Sequence, residues 1–258
     1  MKKIRLNEYL ILHGFFKDEK EAQAHIMAGN VLVNDQKINK SGTLISNQSH
    51  IRLLNQKGKY VSRGGDKLES VLSTLPILIK GKIGIDIGIS TGGFTDYLIQ
   101  NGIKRVFGID VGYGITDHKI RSHPACVLLE RMNARALSKA DLIAAIKKHK
   151  TPLYEVDNID LLVMDVSFIS VLTLLPIIKK LCQPHCDFLV MIKPQFEANI
   201  DEIDKGGVIQ SEEKRAFIIQ RVLTKLLNSG FVLVEKRDSL VFGIKGNKEV
   251  FFWLKNCS

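Results

Sequence analysis

Along residues 80–192 short apolar runs alternate with stretches whose apolar residues recur every three or four positions. The runs at 83–87, 105–110, 126–130, 160–165 and 186–192 have the length and the Val/Ile/Leu content of buried strands. Stretches near 93–101, 138–149, 170–181 and 212–229 predict amphipathic helices, and Leu68, Val71, Leu72 and Leu75 form an apolar stripe ahead of the first of these strands. Strand and helix in alternation predict a parallel sheet covered on both faces. The end of the chain departs from that rhythm. Residues 231–240 and 249–254 are consecutive strands joined through FGIKGN, so they are expected to pair antiparallel.

The first sixty residues follow a different pattern. Arg5, Leu6, Tyr9 and Leu10 begin a helix, Asp18 caps a second helix running to Met27, Gly29 stops it, and Val31 to Asn34 form a strand entering an Asn34-Asp35 turn. A strand near 50–54 closes the unit. The segments RLNEYL (5–10) and EAQAHIMAGNVLVND (21–35), with Lys37 to Lys40, resemble the αL RNA-binding motif, the small module of pseudouridine synthases and tyrosyl-tRNA synthetases. The polar, basic stretch after it reads as a linker. The expected division is therefore an RNA-binding domain at 1–57, a linker at 58–61 and a larger domain at 62–258.

Charge sharpens this division. The 258 residues carry a net charge of +10. Residues 1–63 hold eleven Lys/Arg against five acids, a surplus of 6, in a quarter of the chain. An acidic partner is implied, either nucleic acid or an anionic membrane surface. The longest apolar window, Leu161 to Ile178, is interrupted by Asp165 and Pro176, so no membrane span and no export are expected. Four cysteines without a CxxC pair suit free thiols in a reducing cytoplasm.

The candidate chemistry begins at GIDIGISTGGFTD (84–96), where a strand ending in an acid meets a glycine turn and a helix start. Such a turn presents several unpaired backbone N–H groups to a nucleotide-like ligand. A phosphate-binding P-loop is excluded, because Gly93 is followed by Phe94 and Thr95 rather than Lys-Ser or Lys-Thr. The next strand ends at Asp110, where an acid can accept from ribose hydroxyls. A helix cap or turn acid remains the other reading of Asp110.

The set SRGGDKLES (62–70), DIGISTGGFTD (86–96), GIDVGYG (108–114), ERMNAR (130–135), MDVSFIS (164–170), MIKPQFEA (191–198), KGGVI (205–209) and GNKEVFFW (246–253) resembles the FtsJ-like ribose methyltransferases, and the whole chain is similar to the TlyA family of ribosomal RNA 2′-O-methyltransferases, often labelled hemolysins. That resemblance implies an α/β, Rossmann-like S-adenosylmethionine-dependent methyltransferase fold behind a small N-terminal α+β RNA-binding domain. It also implies a Lys-Asp-Lys-Glu tetrad at Lys67, Asp165, Lys193 and Glu249. S-adenosylmethionine is expected against Asp86, Gly88, Ser90, Thr91, Gly92, Gly93, Phe94, Asp110, Val111 and Asn133, with no metal. Ribosomal RNA or a ribosomal subunit is expected against Arg5, Lys17, Lys20, Lys37, Lys40 and Arg63 on a monomer or weak dimer.

A ribose hydroxyl is a poor nucleophile, so its methylation needs both a base and in-line placement. An amine crowded by a second amine and partly desolvated can serve as that base. Lys193 is the expected base, with Asp165 orienting it and Lys67 and Glu249 placing the ribose. Taken singly, Lys67 also reads as a solvated helix residue, Lys193 as a snorkelling surface lysine, Asp165 as a turn acid and Glu249 as an edge residue. Two other functions remain open from sequence: a membrane-lytic hemolysin, and an RNA-binding protein without activity.

Overall fold

The structure, a computed structural model, describes residues 3–256 apart from 35, 48, 50, 54–57, 151, 205, 242 and 244–245. The chain divides into two units, Met1–Gly58 and Lys59–Ser258.

The first unit opens with strand β1 (Lys3–Arg5) and helix α1 (Leu6–Leu12). Helix α2 (Glu19–Met27) starts where the Asp18 carboxylate accepts from the Glu21 N–H at 2.9 Å. Strands β2 (Val31–Val33), β3 (Gln36–Ile38) and β5 (Ile51–Leu53) form an antiparallel sheet in the order β3-β2-β5, while β4 (Leu44–Ser46) pairs with β1. Leu6, Leu10, Phe16, Ala22, Ile26 and Val31 make its core. Strands β1, β3 and β4 were not expected from the sequence, since three residues are too few for an alternation to show. His50 and Leu54, the ends of the expected last strand, lie outside the described residues.

In the second unit the elements run α3 (Arg63–Leu72), β6 (Ile83–Ile87), α4 (Gly93–Gln100), β7 (Arg105–Ile109), α5 (His118–Arg121), β8 (Cys126–Leu129), α6 (Lys139–Lys148) and β9 (Ile159–Met164). They continue with α7 (Val171–Ile178), β10 (Asp187–Ile192), α8 (Pro194–Glu197), α9 (Glu212–Asn228), β11 (Phe231–Asp238) and β12 (Val250–Asn256). The helix expected over 170–181 ends at Ile178, two residues after Pro176, and a 3-10 turn at Lys179–Leu181 follows. The 3-10 turn at Leu153–Asp157 and the four-residue helices α5 and α8 are likewise too short for periodicity to reveal.

Seven strands form one sheet in the order β11-β12-β10-β9-β6-β7-β8. Among the described strands of this sheet β12 alone runs against its neighbours, antiparallel to both β10 and β11. Alternation along each buried strand feeds two cores. Leu162, Met164, Val190 and Ile192 pack with α6, α7 and α9, whereas Leu161, Val163, Leu189 and Met191 pack with α3 and α4. β12 is pinned at its far end through Asp187 at the start of β10, which accepts from Trp253 Nε1 at 2.8 Å and sits 2.5 Å from Lys255 Nζ and 2.6 Å from Lys82 Nζ. Burial pushes the Asp187 carboxyl up, but these three donors together hold it below the usual carboxylate range.

The stretch read as a linker packs onto α4. Tyr60 is buried against Tyr97, and the Val61 N–H donates to Asp96 Oδ2 at 2.8 Å.

Candidate active site

Chain order reverses direction across the sheet between β6 and β9, and an open α/β sheet offers its crevice beyond the carboxyl ends of such a pair. Gly88 follows β6 there with φ +84°, and a Cβ on it would come 2.5 Å from the carbonyl oxygen of Asp165, the residue after β9. Glycine is required by both the left-handed turn and that close approach.

A cavity of about 280 Å³ opens beside these ends. Gly88, Ser90, Asp110, Val111 and Asn133, all singled out in the sequence, line it together with Asp165. Asp86, Thr91, Gly92, Gly93 and Phe94 do not. Asp86 is fully buried, accepts from Thr95 Oγ1 at 2.7 Å and leaves its other oxygen without a hydrogen-bond partner among the described residues. Gly92 and Gly93 open α4, where a side chain on Gly93 would run into Ser62. The turn is also less open than its composition implies. The N–H groups of Gly88 and Ile89 both donate to the Ile109 carbonyl, Gly92 donates to Ile89, and Ser90 donates to Asp110 Oδ2 at 2.8 Å. Asp110 Oδ1 accepts from the Gly112 N–H at 2.8 Å. Each carboxylate oxygen of Asp110 keeps a lone pair for a hydroxyl donor.

The tetrad residues come together as two ion pairs. Lys67, buried on α3, places Nζ 2.5 Å from Glu249 Oε2, and Glu249 is 3% exposed. Lys193 Nζ lies 2.5 Å from Asp165 Oδ1 and donates to Ser167 Oγ at 3.0 Å. The ladder ends at Ile192↔Val250, so Lys193 follows the last paired residue of β10 and Glu249 precedes the first of β12, while Asp165 follows the last residue of β9 on the other side of β10. Thus all four stand at the carboxyl edge or beside it.

Other residues of the site were not singled out. Met132, Ala134, Ile169 and Leu174 supply apolar walls, and Ser167 and Phe168 line the cavity beside Asp165. Ser167, Phe168 and Ile169 fall inside the quoted MDVSFIS motif, so their place after a strand-ending acid was the available signal. Phe168 is 91% exposed with φ +63°, and its ring lies 5.0 Å from that of Phe196. A bulky residue held in the left-handed region costs roughly 1–2 kcal/mol and persists only where its surroundings enforce it.

The basic candidates are exposed: Arg5, Lys17, Lys20, Lys37 and Lys40 on the first unit and Arg63 on α3. Lys37 lays its stem across Gly29 at the end of α2. Among the described residues Cys126, Cys182 and Cys186 are free thiols, and Cys257 lies outside them. No described helix is long and apolar enough to cross a membrane.

Compared with known proteins, residues 60–256 match the FtsJ-like methyltransferase family. The chain belongs to that family. Its relatives include hemolysin A of Brachyspira hyodysenteriae, 35% identical over 95% of this chain and 97% of that protein. Another is the 16S/23S rRNA (cytidine-2′-O)-methyltransferase TlyA of Mycobacterium tuberculosis, 32% identical over 98% of this chain and 90% of its own. A solved protein of Streptococcus thermophilus that carries a hemolysin label covers the whole chain and 90% of its own at 30% identity, with TM-score 0.73. Solved S-adenosylmethionine-dependent methyltransferases only 13% identical share the fold alone.

Proposed function

We propose that this FtsJ-like protein transfers a methyl group from S-adenosylmethionine to a ribose 2′-hydroxyl, that of a cytidine, in 23S ribosomal RNA, with 16S ribosomal RNA the second candidate substrate. The cavity suits the donor. Asp110 offers a carboxylate to ribose hydroxyls, Met132, Ile109 and Leu174 offer apolar walls to a purine, and the side-chain-free Gly88 admits a ligand close to the backbone. When bound, S-adenosylmethionine supplies an electrophilic methyl group on a sulfonium.

The observation that carries this reading is the pair of ion pairs at the carboxyl edge, one member of which, Asp165, also lines the cavity. Lys193 takes the proton from the ribose hydroxyl, and Asp165 balances the ammonium this creates. Lys67 and Glu249, held rigid by their mutual contact, hydrogen-bond and place the ribose. Only the neutral amine can accept that proton. The unit Met1–Gly58 docks on RNA phosphates through Arg5, Lys17, Lys20, Lys37 and Lys40, as an αL module would, and Arg63 extends the basic surface of the catalytic unit. Such a substrate places the protein in the cytoplasm.

The test is methyl transfer to purified ribosomal subunits with labelled S-adenosylmethionine. Lys193→Ala is expected to keep cofactor affinity by calorimetry and RNA affinity by filter binding while losing transfer. Turnover by that variant removes Lys193 as base.

A further inference from the structure

Among the described residues Lys193 has two polar partners, and they differ in kind. Asp165 Oδ1 lies 2.5 Å from Nζ, yet that buried oxygen takes no aligned hydrogen bond from any described group. The contact is close, but it lacks the geometry of a hydrogen bond. Ser167 Oγ, at 3.0 Å, does accept an aligned hydrogen bond from Nζ. Coulomb attraction depends on distance alone, whereas a hydrogen bond weakens steeply once bent. Asp165 therefore controls the charge beside the amine, and Ser167 controls its direction.

We infer that Ser167 is a positioning residue that aims the Lys193 lone pair at the ribose hydroxyl, an assignment that rests on Lys193 being the base. A neutral amine has two hydrogens and one lone pair around Nζ. With one hydrogen on Ser167 and the other turned toward Asp165, rotation about Cε–Nζ stops and the lone pair takes the single remaining tetrahedral direction. The hydroxyl proton passes to that lone pair and leaves an ammonium beside Asp165. Phe196, whose ring centroid is 5.8 Å from Nζ, offers an apolar face and no competing acceptor. If Ser167 is absent, the misaligned Asp165 contact alone lets the amine turn, and its lone pair samples unproductive directions.

Charge separates this role from that of Asp165. Among the described residues the charged group in contact with Lys193 is Asp165 after β9, while Lys67 and Glu249 pair with each other beside the start of β12. Ser167 carries no charge, so removing it leaves the field at the amine nearly as it was. The geometry then predicts a lower rate at every pH without a change in where the rate rises.

The experiment uses the full-length protein, ribosomal subunits and S-adenosylmethionine. Ser167→Ala is expected to lose about ten- to a hundredfold in kcat, the scale on which small misplacements act, with KM for RNA and calorimetric cofactor affinity unchanged. Its pH–rate profile should drop in height and keep its midpoint, and Ser167→Thr should restore most of the rate. Asp165→Asn, in contrast, should move the midpoint. An undiminished rate in Ser167→Ala overturns the assignment, as does a loss that Thr does not restore. A displaced midpoint or weakened cofactor binding does so too, since either shows a general role in the cavity. If Lys193→Ala still methylates, the base reading and this assignment fall together. A dead Lys193→Ala beside a fully active Ser167→Ala sinks this assignment alone.

Discussion

Asp86 meets no cation among the described residues, although it stands in the middle of the sheet, one residue from the end of β6. Burial pushes its carboxyl up to about 7, against the Thr95 hydrogen bond that lowers it, and the neighbouring Asp165 and Asp110 charges add to the rise. A protonated Asp86 spares this end of the sheet a third negative charge. In the unfolded chain the same group ionises near 3.8. Between those values the folded state holds a proton that the unfolded state has lost, so this group destabilises the fold progressively as pH rises through that window and leaves it untouched below. Asp86→Asn keeps an acceptor for Thr95 and removes the titration. The variant should match the native protein in thermal unfolding at pH 4 and exceed it at pH 8, by on the order of a few kcal/mol. Equal pH dependence of the two melting curves contradicts the assignment.

Between elements, the Lys67–Glu249 contact ties α3 to the residue just before β12, and its burial makes the single substitutions costly. Lys67→Met leaves Glu249 buried without its ammonium partner and should destabilise by about 3–5 kcal/mol in urea unfolding. Adding Glu249→Leu should recover most of that loss, because a paired apolar replacement has no stranded charge. Neither variant should methylate, so stability and activity part company; recovery of both together argues against a role in placing the ribose. Legibility in the sequence also varied by element. The strands near 83–87, 105–110, 126–130, 160–165 and 186–192 were readable because burial on both faces leaves an uninterrupted apolar run. The reversed β12 was readable because two strands followed each other with no helix between. Strands of three residues, and helices of four such as α8, fix no period, and tertiary contacts alone determine them.

At the scale of the whole chain, two kinds of information separate. The tetrad was legible because its members are chemically distinctive residues inside motifs that could be compared one by one, whereas the apolar walls at Met132 and Ile169, though inside quoted motifs, and at Leu174, outside them, carry no chemistry of their own until folding brings them to one place. Basic surplus was legible as composition, and its use is a question of binding physics. Each phosphate that a lysine neutralises releases condensed counterions, so the dependence of RNA affinity on salt measures how many phosphates the protein touches. Lys17, Lys20 and Lys40 are exposed on the first unit, away from the residues of that unit's core. Replacing all three by Ala should weaken RNA binding and make the slope of log affinity against log salt shallower by about 2 to 3, at roughly 0.7–0.9 for each phosphate no longer neutralised. Cofactor affinity should not change, because the cavity draws all its lining from the second unit. An unaltered slope with weakened binding would mean that these lysines support the unit's fold rather than touch phosphate, and would move that unit's docking surface to Arg5 and Lys37.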